Sequence, residues 1–222
     1  MKTKKSVLVI AAHPDDEIFG PGATIARYAE EGIDVYTVVF SYGEMSHPHF
    51  KPEEIMKIRK RESERANSII GGKKVYFLGL KETRFEKEFY EKGAYKKVEE
   101  IIKRHNPEKI FIHSQDDVHH DHRAVNKIFI ENYERMSLNA QVYTFNVSNI
   151  LDIKKRNRPR LVINTSKTFH KKINALKCFR SQINPLSYVF TNNILFIVTY
   201  IKSVINGMKY GCKHSEVFFR LK

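Results

Sequence analysis

The hexapeptide Ala12-His13-Pro14-Asp15-Asp16-Glu17 gathers one imidazole and three carboxylates immediately after an apolar run. Acids packed this closely repel one another unless a cation or a favourable local field compensates them. Two accounts fit these residue types. A turn at the end of a strand can aim His13 and Asp16 inward together, offering a nitrogen and an oxygen to a borderline metal such as zinc. Alternatively, Asp15 to Glu17 open a helix and complement the positive end of its dipole. The hexapeptide by itself weighs the two equally.

A second cluster, Asp117-Val118-His119-His120-Asp121-His122, shifts that balance. Four of the ten histidines fall between His113 and His122, where a surface loop has no packing reason to concentrate neutral imidazoles. The bland account is a polar loop or an adventitious chelator. Combined with the first cluster, it yields three ligands, His13, Asp16 and His122, and a fourth position left for water, the form of a catalytic zinc site. Zinc lowers the pKa of such a water to ~7 and polarises a carbonyl, so an amide can be hydrolysed at neutral pH. Asp15 is then the natural general base. His119 is placed to stabilise the oxyanion or protonate the leaving amine. Spacing alone also allows Asp15 and Asp16 to exchange roles.

Both clusters must be carried by elements that bring them together. Ser6 to Ala12 is a β-branched apolar run, the pattern of a strand buried on both faces. Gly22 to Glu31 has helical spacing and stops at Gly32. Asp34 to Phe40, Val75 to Leu78 and Lys109 to His113 are further strands, separated by helices over Lys51 to Ile70 and Lys92 to His105. This alternation predicts an α/β fold, a single three-layer Rossmann-like domain over residues 1–222 with a mostly parallel sheet flanked by helices. Chemistry in such folds lies beyond the carboxyl ends of the strands, where both clusters fall. Beyond His122, a helix from Arg123 to about Tyr133 is expected, then strands at Gln141 to Asn146 and Arg160 to Asn164 and a helix from Lys167 to Phe179. Ser187 to Lys202 is too apolar for a linker and suggests a packed helix or a strand–helix join. Glu216 to Leu221 alternates like a final strand.

Composition narrows the setting. The chain has 222 residues, 41% hydrophobic and 29% charged, which is the ordinary globular range. Lys and Arg outnumber Asp and Glu by 39 to 25, a formal +14 that raises the prior for an anionic partner. The densest basic run is Lys154 to Arg160. Cys178 and Cys212 have neither metal-site spacing nor the density of a disulfide framework, which suits a reducing, cytoplasmic setting. The apolar run from Val7 to Ala12 is too short for a signal peptide. Ile194 to Ile205 falls short of the ~20 residues needed to span a bilayer; a helix bound at an anionic lipid surface is its minority reading. The composition is compatible with a homo-oligomer.

The sequence resembles the LmbE-like, PIG-L family of zinc N-deacetylases. The resemblance rests on Ala-His-Pro-Asp-Asp-Glu at 12 to 17, with Gly20 and Gly22 ahead of the first helix, and on His119-His120-Asp121-His122-Arg123-Ala124-Val125. Weaker echoes are Arg59-x-x-Glu62, Phe77-Leu78-Gly79-Leu80, Lys172 to Gln182 and Glu216-x-Phe218. It implies one zinc per chain, with another divalent metal as the alternative, held by His13, Asp16 and His122. It further implies Asp15 as base, His119 as the electrophilic or acid histidine, Asp121 as the partner orienting it, and Arg59 reaching the sugar. A helix-surface pair with Glu62 is the bland role for Arg59. Glu82 stands where many members carry Asp, and Ser41-Tyr42-Gly43-Glu44 replaces the more usual Thr-x-Gly-Glu. The expected substrate is a small N-acetylated amino-sugar conjugate, with the positive charge favouring an anionic one. The competing expectation is a basic, metal-containing module that binds nucleic acid or phosphate without catalysis. Against it, no nucleic-acid motif is present and the neighbours of Lys154 to Arg160 are aliphatic rather than aromatic.

Overall fold

Leu8 and Ile10 face one apolar cluster and Val7 and Val9 the other, so β1 (Ser6–Ala11) is buried on both sides. A strand of this kind needs a helical layer above and below it. The computed structural model supplies both, and it describes residues 5–47, 50–133, 135, 139–147, 158–182 and 190–221. After β1 come α1 (Asp16–Phe19), α2 (Gly22–Glu30), β2 (Asp34–Val39), α3 (Pro52–Ile69), β3 (Lys74–Phe77), α4 (Phe85–Glu91) and α5 (Ala94–His105). Then follow β4 (Lys109–His113), α6 (His120–Tyr133), β5 (Gln141–Phe145), β6 (Arg160–Asn164), α7 (Phe169–Leu176), α8 (Phe190–Lys209) and β7 (Ser215–Arg220).

The strands form one seven-stranded sheet in the order β3-β2-β1-β4-β5-β7-β6. The first five are parallel, with Leu8 level with Tyr36 on one side and Ile110 on the other, and β7 runs antiparallel to β5 and β6. Helices α4, α5 and α6 cover the Leu8 face, while α1, α2, α3 and α7 cover the Val9 face. The chain leaves β1 toward one edge and returns at β4 to build the other. The crevice between the ends of β1 and β4 is therefore the topological switch point, where open α/β sheets bind their ligands.

A buried polar contact braces the corner behind that crevice. Glu216 of β7 accepts hydrogen bonds from the Ala23 and Thr24 backbone N–H groups at the start of α2. Lys172 of α7 donates to the Phe19 and Gly20 carbonyls and, at 2.6 Å, to Glu216. These groups take up the orphan donors and acceptors of two helix ends inside the protein.

Several elements differ from the sequence expectation. The helix expected from Lys92 starts at Ala94 because Gly93 takes the left-handed conformation at φ 65°. Before it lies α4, which was not expected; its buried Phe85 and Phe89 are one turn apart, too short a window for periodicity to register. Helix α6 begins at His120 rather than Arg123, which puts Asp121 and His122 on its first turn. The segment expected as a packed helix or a strand–helix join is, from residue 190 on, helix α8, with most of its large apolar side chains facing outward, while residues 187–189 lie outside the described residues. Residues 154–157 of the basic run lie outside the described residues. No helix among those described is long and apolar enough to cross a membrane.

Candidate metal centre

The loop after β1 turns sharply at Asp15, whose φ of 121° is a region L residues seldom adopt. Such strain persists only where the surroundings impose it. Glu17, fully buried, accepts the Asp15 backbone N–H at 2.9 Å and the Ser63 hydroxyl at 3.0 Å. Arg59 of α3 donates through Nη2 to the Pro14 carbonyl and lies 3.2 Å from Asp15 Oδ2. Its guanidinium presses on Gly43, where a Cβ would come within 2.6 Å of it. The turn is thus held from both sides, and Asp16 points into the crevice. Asp16 Oδ2 accepts the His13 backbone N–H at 2.8 Å and lies 3.3 Å from His13 Nδ1.

From the other side of the switch point, the first turn of α6 brings His122 Nε2 to 3.1 Å from Asp16 Oδ1. Asp117 lies behind it, 3.1 Å from His122 Nδ1, and also accepts the backbone N–H groups of His119 and Val147. His119 is exposed, its ring centroid 4.5 Å from that of His122 and 5.0 Å from that of His13. The Asp121 backbone N–H donates to His119 Nδ1 at 3.2 Å. Nδ1 is therefore the acceptor, and the neutral ring carries its proton on Nε2.

Charge in the crevice is arranged to receive a cation. Burial alone would lower the His13 ring, but hydrogen bonds to Asp121 and Asp16 and nearby carboxylate charge outweigh it and push His13 up to about 10. His122 rises to about 9 against its own burial, through Asp16 and Asp117. Asp16, despite burial, is held well below the usual carboxylate range by His122 and His113. Burial pushes Asp15 up to about 7, with Arg59 opposing and Asp16 adding to the rise. The carboxylates thus favour positive charge at His13 and His122, and a divalent cation among these nitrogen and oxygen donors would carry it instead of protons. His122 belongs to two groups of donors close enough for a shared ion, one with His13 and His119 and one with Asp16 and His113.

Comparison with known proteins decides the family. The model for "PIG-L: GlcNAc-PI de-N-acetylase" matches residues 8–133, more than half of the chain. The chain belongs to the PIG-L family of N-deacetylases. It is 31% identical over 195 residues to a probable N-acetyl-alpha-D-glucosaminyl L-malate deacetylase 2 of Bacillus cereus, covering 82% of this chain and 86% of the relative. Its fold resembles that of N,N'-diacetylchitobiose deacetylase from Pyrococcus horikoshii, with TM-score 0.78, 22% identity, and coverage of 99% of this chain and 85% of that one. A 4-carboxy-2-hydroxymuconate hydratase from Pseudomonas putida, GalB, superposes equally well, at TM-score 0.78, 20% identity and coverage of 98% and 96%. Likeness at this identity carries the fold and not the reaction.

Within this PIG-L chain the crevice unites His13, Asp15, Asp16, His119, Asp121 and His122. Asp121 differs from its expected role: its carboxylate accepts from His13 Nε2 at 3.1 Å and from the Thr83 backbone N–H at 3.0 Å, and it meets His119 only through its own backbone. Arg59 and Glu62 do not form the helix-surface pair either. Arg59 turns to Asp15, while Glu62 accepts both the backbone N–H and the hydroxyl of Ser181. Four further residues at the site had no part in it on sequence grounds. Glu17 and Asp117 lay inside the two clusters, Glu17 only as an acid opening a helix. His113 ends β4 with its Nε2 3.3 Å from Asp16 Oδ2, and Glu82 lies 3.4 Å from His13 Nε2. An inward strand terminus next to a ligand-rich loop was the available signal for His113.

Proposed function

We propose that this PIG-L chain is a zinc-dependent N-deacetylase that releases acetate from an N-acetylglucosaminyl conjugate. The observation that carries it is the meeting at the switch point of His13, Asp16 and His122, with the Asp16 carboxylate 3.3 Å from His13 Nδ1 and 3.1 Å from His122 Nε2, and Asp15 and His119 beside them. His13, Asp16 and His122 would hold the metal, which when bound polarises the acyl carbonyl and acidifies the attacking water. Asp15 accepts the proton of that water, its carboxylate oriented by Arg59 and its backbone by Glu17. His119 presents its Nε2 N–H toward the open side, where it stabilises the developing oxyanion, and the proton taken up by Asp15 passes to the departing amine as the C–N bond breaks. Asp121 and Asp117 hold the far nitrogens of His13 and His122, so each ring keeps one orientation. Arg59, buried to 3% exposure, acts on the Asp15 side of the site.

The products are acetate and a free glucosaminyl amine. The names of the Bacillus and Pyrococcus relatives support an N-acetylglucosaminyl substrate, and the +14 charge favours an anionic conjugate. A module that merely binds nucleic acid has no use for a strained, buried acid beside exposed His119. The test is acetate release from a panel of malate-linked, chitobiose-type and phosphoinositol-linked N-acetylglucosamine. Release should stop on chelation and return with zinc. Release that persists in thoroughly chelated protein contradicts the metal, and absence of release from every conjugate contradicts the substrate class.

A further inference from the structure

The amphipathicity of α8 is reversed. Thr199, Lys202, Ser203 and Asn206 face inward and line a small polar cavity beside Lys172 and Glu216. Ile194, Ile197, Tyr200, Ile201, Ile205 and Met208 face outward, with Ile197 and Ile205 each 58% and Met208 76% exposed. Most of the exposed large apolar side chains among the described residues lie on this one stretch. Their spacing of three and four residues makes a single stripe along a helix about 30 Å long. Apolar side chains gathered into one contiguous stripe, rather than scattered singly, mark an interaction surface.

Charge selects the occupant. Helix α8 carries no acidic residue, exposed Lys209 ends it, exposed Lys213 follows it, and the whole chain is +14. A second copy packed on this face would bring no carboxylate from its own α8 to answer these lysines. An anionic lipid surface supplies both an apolar layer for the stripe and counter-charge for the lysines. The helix is not one that crosses a membrane, so it would lie in the interface plane. We propose that α8 docks the protein on anionic bilayers, with the face from Ile194 to Met208 entering the boundary between headgroups and acyl chains. This rests on α8 alone and is independent of the deacetylase reading.

The experiment is co-sedimentation of the full chain with vesicles of phosphatidylcholine alone and of phosphatidylcholine with phosphatidylglycerol in equal parts. The protein should bind the mixed vesicles and bind the neutral ones much more weakly. The triple variant Ile197→Ser, Ile201→Ser, Ile205→Ser should lose roughly tenfold or more of the binding. The chain contains no tryptophan, so Ile201→Trp provides a single emitter whose fluorescence should shift to the blue when mixed vesicles are added. Failure to bind either vesicle, binding unchanged in the triple variant, or no shift from the Ile201→Trp protein each overturns the proposal. So does light scattering that finds a dimer abolished by the triple variant in a protein that ignores vesicles, since the occupant is then a second copy.

Discussion

Asp15, Asp16 and Glu17 in the loop after β1 are acids with 8%, 3% and 0% exposure, whereas Ile197 and Ile205 on α8 are apolar residues left 58% exposed. Both regions break the usual partition of polar and apolar surface, in opposite directions. In the loop each acid has its answer inside the fold: Arg59 for Asp15, His122 for Asp16, Ser63 for Glu17. On α8 the outward face has no such answer among the described residues. Self-contained compensation marks a site that works on something small drawn into the fold. Uncompensated apolar surface marks a site completed by something large from outside.

If the loop is the chemical centre, the largest effects belong to its ligands. His13→Ala and His122→Ala should each lose the bound metal and reduce acetate release to background, with elemental analysis and an acetate assay as the readouts. Next comes Asp117→Asn, which removes the charge behind His122 without touching a ligand. It should weaken metal affinity by roughly 10–100-fold, measured by competition with a chromophoric chelator; unchanged affinity would make Asp117 a loop residue only. Lys172→Met tests the brace rather than the centre. It strands Glu216 in a buried site and should cost about 3–5 kcal/mol of folding stability by denaturant titration, and a loss below ~1 kcal/mol would show that Glu216 finds solvent. The smallest effect is expected on α8, where Ile205→Ser removes no contact on which the fold depends. Its unfolding free energy should stay within about 0.5 kcal/mol of the parent, so a large loss would place that face in the core and collapse the contrast between the two regions.

Legibility in the sequence followed the range of the interactions. The strands near Ser6, Asp34, Lys109 and Arg160 were readable because a continuous apolar run followed by polar residues is a local pattern. That His13, Asp16 and His122 come together was readable because two unusual clusters each followed such a strand. Partnerships were not. That Asp121 serves His13, that Arg59 holds Asp15 and that Glu62 meets Ser181 are contacts across 108, 44 and 119 positions respectively, and no local pattern encodes them. The start of α6 is hidden in the sequence because His120, Asp121 and His122 look like loop residues until the crevice gives the Asp121 and His122 side chains somewhere to go. For α8 the apolar content was visible and its direction was not, since the polar residues turned inward line a cavity with the distant Lys172 and Glu216.

The central claim, that Asp15 moves the proton while Asp16 holds the metal, is tested most directly by measuring metal content and acetate release together for Asp15→Asn and Asp16→Asn. The Asp15→Asn protein should fold, retain one metal per chain and lose roughly 10²–10⁴-fold in rate, because an amide can hold the water but cannot take its proton. Asp16→Asn should instead lose metal, since a neutral carbonyl replaces an anionic ligand. A metal-free Asp15→Asn protein, or a metal-loaded one with near-full activity, would contradict the assignment.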